Sequence, residues 1–284
     1  MALGRLHAEK TDAELFQHFY ERAVRAETEQ HRRARQTTLV GQVVVLGALV
    51  GLWWAASTVY PPVLVPSPPA TVQAFVDGRA TLWENTPITI AEIVLGFLVG
   101  SLLGIGFGVV IGQSRWAEVI FTPYLVVSQA VPKVALAPIL IIVLGYGLAS
   151  KVAVAALIAF FPLLENTIGG LRQVDPDSLR LLRSLGATRW QIFMKLRVFS
   201  ALPLIFAGLR IAAVLATVGA IVGEFVAGNR GLGALLVTSM GTFSTSLLYA
   251  TMGVLTVLAC GVYLAAQWGE RRALARYNLA PPEA

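Results

Sequence analysis

Six apolar runs constrain this chain more than any other feature: residues 39–59, 88–112, 119–144, 152–170, 200–225 and 246–267. A helix of about 20 apolar residues crosses the hydrocarbon layer of a bilayer and satisfies its backbone N–H and C=O groups internally. The runs have that length. They predict an all-α, polytopic membrane helix bundle with about six transmembrane helices. Composition agrees, at 56% hydrophobic and 13% charged residues. The single cysteine, Cys260, excludes an intrachain disulfide, and His7, His18 and His31 all precede the first run. Histidine proton relays and metal sites are therefore not expected in the membrane region.

Lysine and arginine set the orientation. Of the 22, seventeen fall on segments that are cytoplasmic if the N-terminus is inside. Arg79, Lys151 and Arg230 fall outside, and Lys133 and Arg210 lie within spans. The positive-inside rule puts both termini and the segment 174–203 in the cytoplasm. The basic balance thus reflects a lipid bilayer, and no nucleic-acid partner is expected. Residues 1–38 are charged and carry no signal-peptide pattern. Within them, residues 11–35 place Leu15, Phe16, Phe19, Tyr20, Ala23 and Val24 on one stripe, the pattern of an interfacial helix or of packing against a partner.

The spans carry three further signals. Gly96, Gly100, Gly104, Gly108 and Gly112 recur every four residues, a row that admits a neighbouring backbone. Pro132 and Pro138 break the third span around Lys133, as suits a helix lining a cavity. Lys133 is a charge inside a span, which is costly and admits a functional or a structural reading. The fifth span holds Arg210 in its cytoplasmic half and Glu224 near its outer end, too far apart to pair within one helix.

The one long charged segment inside the oily part of the chain is 174–203. Asp175 is placed as an N-cap with Pro176 at the first helical position. Leu179, Leu182 and Leu185 are expected on one face with Arg180 and Arg183 off it, and Gly186 takes the left-handed terminal position. Thr188 and Gln191 have capping-box spacing, and a second helix carries Trp190, Ile192, Phe193 and Leu196 into the next span. A helix, a glycine corner and a helix at a membrane surface form a docking element for a soluble partner.

This segment resembles the cytoplasmic coupling loop of permease subunits of bacterial ATP-binding-cassette importers. Gly186 and Leu196 take its glycine and aliphatic positions and Pro203 a second proline, whereas Arg180-Leu181-Leu182 stands where Glu-Ala-Ala is usual and Val198-Phe199 where the first Leu-Pro is. Leu-Pro-Ser-Pro-like residues 64–68, Pro-Lys-Val-Ala at 132–135 and the run 208–236 resemble the sulfonate, taurine, nitrate and pyrimidine-precursor branch. The resemblance implies a cytoplasmic tail over 1–38, a first span and outer loop over 39–85, a permease domain over 86–268 and a cytoplasmic tail over 269–284. It implies an importer in a bacterial inner membrane, with a second permease copy, two ATPase subunits and an extracytoplasmic solute-binding protein. It also implies no catalytic or metal site and no cofactor in this chain, with ATP and Mg2+ held by the ATPase. Asp175, Ser178, Leu179, Leu182, Leu185, Gly186, Ala187, Thr188 and Trp190 would couple to that ATPase, and Gln129, Lys133, Arg210 and Glu224 would line the pathway. Two rival classes are an ion-coupled carrier acting without an ATPase and a membrane enzyme. The scarcity of span carboxylates (Glu92, Glu165, Glu224) counts against the first, and the absence of a clustered nucleophile and base against the second.

Overall fold

The computed structural model describes residues 40–277, so the expected interfacial helix lies outside the described residues. The chain divides into two units at residue 68. In the first, helix α1 (Val40–Val59) is long and apolar enough to span a membrane. The prolines that follow turn the chain back on it, with Trp53 Nε1 donating to the Pro66 carbonyl at 3.1 Å.

The second unit opens with α2 (Pro68–Asp77) and α3 (Arg79–Gln113). Ser114 ends α3 in an extended conformation and caps α4 (Arg115–Ala130). A 3-10 turn (Lys133–Leu136) leads to α5 (Ala137–Leu144), and α6 (Leu148–Gly170) follows. Next come α7 (Pro176–Ser184), α8 (Arg189–Ile192), five residues of π-helix (Phe193–Arg197) and α9 (Val198–Ala227). Helices α10 (Leu232–Gly241) and α11 (Thr245–Arg276) close the unit. The described residues contain no strand.

At 35 residues, α3 is about 52 Å long, well beyond the hydrocarbon thickness. The path from Arg189 to Ala227 is helical throughout, so the fifth span starts earlier than residue 200 and continues out of the charged loop without a break. The third span differs from a single proline-kinked helix. Val119–Ala130 and Lys133–Leu144 meet at 86°. Pro132 cannot continue the α4 ladder, and Val131 before it is extended at ψ 123°, the conformation that proline imposes on its predecessor. Among the described residues, five helices are therefore long and apolar enough to span a membrane, or six when the bent pair counts as one span. The fourth span also starts earlier than expected, at Leu148, which takes Lys151 out of a loop and into a helix.

Helix α6 is the centre of the bundle, clasped by α3 and α9. The glycine row of α3 lies against it: a Cβ at Gly100 would meet the Ala156 carbonyl at 2.6 Å, and one at Gly108 the Thr167 Cβ at 2.6 Å. From the other side, a Cβ at Gly219 of α9 would lie 2.6 Å from the Ala155 Cα. Ala155, Ala159, Ala212, Ala216 and Ala220 fill the seam around Ile93 and Leu163. Small residues let the backbones approach, and dispersion between them replaces the hydrophobic driving force that lipid cannot supply. Gly100→Val should force α3 off α6 and cost about 1–3 kcal/mol or more. Gly106→Val, at a site with nothing within 4 Å, should leave stability unchanged. Thermal unfolding of the two purified variants checks the contrast.

Candidate functional site

The surface segment after α6 is built by local rules. The Asp175 carboxylate accepts hydrogen bonds from Ser178 Oγ at 2.6 Å, Ser178 N at 2.9 Å and Asp177 N at 3.3 Å. Those bonds, the Ser178 hydroxyl first, hold its carboxyl below the usual carboxylate range. The cap is thus intact at neutral pH and is lost only as pH falls through that lowered value. At the other end of α7, Gly186 N donates to Arg183 O and Ala187 N to Leu182 O, both at 3.0 Å, the two bonds of a Schellman motif. Gly186 has φ +74°, which a side chain resists. Thr188 N donates to Gln191 Oε1 at 2.8 Å and Gln191 N to Thr188 Oγ1 at 3.3 Å, closing the capping box that starts α8.

The expected leucine face is split. Leu179 and Leu182 turn inward and are half-buried, whereas Leu185 is exposed together with Leu181 and Trp190. Residues 181 and 185 are one turn apart on the side of α7 away from 179. The outward apolar surface is therefore Leu181, Leu185 and Trp190, with the Trp190 ring packed at a 34° tilt against Phe193 at 5.8 Å between centroids.

The break in the third span forms a second feature. Gln129 ends α4 and Lys133 opens the 3-10 turn, so the two bracket Pro132. Phe161 and Glu165, one turn apart on α6, face them. Gln129 Nε2 donates to Glu165 Oε1 at 2.6 Å, and Lys133 Nζ sits 4.5 Å from the Phe161 ring centroid. Phe160 packs edge-on to Phe161 at 5.1 Å and to Phe107 of α3 at 6.1 Å. The site combines an amine, a carboxylate, an amide and aromatic faces, and Gln129 is exposed.

Arg210 and Glu224, each expected either to line the pathway or to bond to another helix, are both bonded to other helices. Arg210 lies 3.2 Å from Glu270 of α11. Glu224 is fully buried in a polar brace, accepting from Thr89 Oγ1 at 2.6 Å and from Gly233 N at 2.5 Å. Asn85, Thr89 and Glu92 share one face of α3. Asn85 Oδ1 accepts from Gly231 N, Thr89 Oγ1 accepts from Leu232 N, and Glu92 Oε1 accepts from Lys151 Nζ at 2.9 Å. Lys151 also donates to the Arg230 carbonyl at 2.7 Å. Gly231, at φ +110°, leaves no room for a Cβ beside the Glu224 carboxylate. These bonds lash the turn 228–231 to α3, α6 and α9.

The family described as binding-protein-dependent transport system inner membrane component matches residues 96–272. The chain belongs to this family of importer permeases. It is 33% identical over 232 residues to a probable ABC transporter permease protein of Haemophilus influenzae, covering 81% of this chain and 95% of that one. It is 37% identical to the riboflavin transport system permease protein RibX of Chloroflexus aurantiacus, covering 82% and 88%. With the taurine transport system permease protein TauC of Escherichia coli it shares 30% identity over 80% and 85%. Among solved structures, one of the MetNI methionine ABC transporter in inward-facing conformations matches with a TM-score of 0.60 at 17% identity, over 69% of this chain and 97% of that chain. That likeness shows a shared fold.

The protein is accordingly a multi-pass permease subunit of an ABC importer and performs no catalysis itself. Three residues of this permease do not read as site residues in the sequence: Lys151 falls in an expected outer loop, Glu92 reads only as a span carboxylate, and Glu270 lies past the last apolar run. The available signal was a lone charge within a turn or two of a span end. Lys151→Met would leave both the Glu92 carboxylate and the Arg230 carbonyl without their shared donor. A loss of about 3–5 kcal/mol is expected. A lowered thermal midpoint of the purified permease is the readout, and an unchanged midpoint would contradict the brace.

Proposed function

We propose that the permease works as a homodimer in a bacterial inner membrane, with both termini cytoplasmic. Two ATPase subunits drive it and an extracytoplasmic binding protein supplies the solute. ATP and Mg2+ belong to the ATPase. The observation that carries this reading is mechanical: the exposed Leu181, Leu185 and Trp190 sit beside a helix that runs unbroken from Arg189 to Ala227 into the tightest packing of the bundle. ATPase subunits closing on the α7–α8 corner would displace α9. Its seam with α6 is too closely packed to absorb that movement locally, so the spans would switch as a body. The permease contributes a two-state equilibrium, biased by ligands that bind the two states unequally.

Leu185→Asp with Trp190→Asp should abolish ATPase co-purification, and solute uptake with it, while leaving the thermal midpoint of the permease unchanged. Normal uptake in that variant would sink the docking assignment. The same measurement separates this reading from an ion-coupled carrier, for which these side chains would be immaterial.

For the solute we favour a planar, polar heterocycle over a small inorganic anion. Lys133 and Arg210 by themselves would attract anions. Arg210, however, faces Glu270, and Lys133 lies on Phe161 with Glu165 one turn away. What remains at the broken span is an aromatic platform with one donor and one acceptor of charge-assisted hydrogen bonds. The higher identity to a permease named for riboflavin than to one named for taurine supports the same choice. Phe161→Ala should lower flavin- or pyrimidine-type uptake by the reconstituted importer about tenfold, the loss of roughly one stacking interaction. Robust taurine or nitrate uptake with no heterocycle uptake would overturn the preference.

A further inference from the structure

A cavity of about 580 Å³ opens on the Leu179 side of α7, away from the Leu181 and Leu185 face. Arg183 of α7, Arg189 at the start of α8 and Arg197 at the end of the π-helix line it, with Gln113 from the end of α3 and the apolar Leu179 and Phe193. Arg183 and Arg189 are exposed and Arg197 is half-buried, and three arginine side chains lining one space favour an anion between them. The segment 172–197 holds only two carboxylates, and both are engaged elsewhere. Asp175 accepts three hydrogen bonds within its own cap, and Asp177 pairs with Arg180 at 3.1 Å on the exposed side. Among the described residues, no carboxylate forms an ion pair with Arg183, Arg189 or Arg197.

We infer that this cavity binds a phosphate group, held by Arg183, Arg189 and Arg197 with the Gln113 amide as a further partner. Guanidinium groups match phosphate oxygens in bidentate geometry, which is why arginine rather than lysine suits such a site. The volume exceeds that of one phosphate, and Leu179 and Phe193 give the space an apolar wall. Those features fit a phosphate carried on a larger organic group. The headgroup of an anionic lipid and a soluble phosphate compound share this chemistry. Occupancy would tie α7 to α8 and to the end of α3, stiffening the corner that the permease offers to its ATPase.

The test uses the full chain in lipid nanodiscs, with inorganic pyrophosphate as the probe and thermal unfolding as the readout. In phosphatidylcholine discs, pyrophosphate should raise the midpoint of the wild type. R183Q/R189Q/R197Q should weaken its apparent affinity roughly tenfold or more, since one charge-assisted bond already corresponds to about that factor. R180Q, outside the cavity, should bind as the wild type does. If the natural ligand is a lipid headgroup, discs containing phosphatidylglycerol should stabilise the protein in advance and block the pyrophosphate response. A soluble ligand would leave that response intact in both kinds of disc. Should the triple variant not fold, the wild type alone still decides: no midpoint shift with pyrophosphate and none with phosphatidylglycerol overturns the site. Unchanged pyrophosphate affinity in a folded triple variant that no longer retains its ATPase would overturn it too, and would assign the arginines to acidic side chains of that partner.

Discussion

Everything in this permease depends on how closely α3 and α9 approach α6. The contact is made of glycine and alanine, so what meets is backbone against backbone, with carbonyls and Cα atoms where larger helices would interpose side chains. In lipid, apolar side chains gain little by leaving the tails for the protein, and close contact must come from shape. The consequence is a stiff three-helix centre around which the broken span, the polar brace and the charged loop are arranged.

Stiffness at the centre gives meaning to the charges around it. Glu92, Lys151 and Glu224 are buried; Lys151 bonds to one Glu92 oxygen and to the Arg230 carbonyl, and Glu224 to Thr89 and Gly233 N, while Glu92 Oε2 has no hydrogen-bond partner among the described residues. Such groups stabilise a single arrangement, because a lone charge in that environment is far more costly than a paired one. Gln129, Lys133, Phe161 and Glu165 form the opposite case. They meet across a break where backbone is already irregular, and Gln129 remains open to the surroundings. Irregular backbone at membrane depth is tolerated where it faces a polar cavity or is buried in protein. The difference in accessibility separates the structural charges from the ones we propose meet a solute.

The charged loop differs again, being built almost wholly from local hydrogen bonds: an aspartate cap, a Schellman corner and a capping box. Such an element holds its shape with little help from the bundle, so it can transmit a push without melting. In the proposed coupling, its continuity with α9 would convert a surface event into a displacement at the core. The two faces of α7 differ, with Leu181 and Leu185 turned outward and the arginine-lined cavity on the side of Leu179.

Features whose cause is local are legible in the residues themselves. Span number followed from apolar run length, the α3 seam from a glycine every fourth residue, and the caps at Asp175, Gly186 and Thr188 from residue type and spacing. Their causes lie within a few residues, so the chain need not be folded to reveal them. Which groups pair across the bundle follows from how its helices pack. Lys151 and Glu92 are 59 residues apart, and Thr89 and Glu224 are 135. No periodicity within one helix encodes such a pairing. The same holds for the inward turn of Leu179 and Leu182 and for the capture of Arg210 by Glu270. A charge in a span advertises a need for a partner, and the partner is chosen by which helix faces are pressed together, a property of the packed bundle alone.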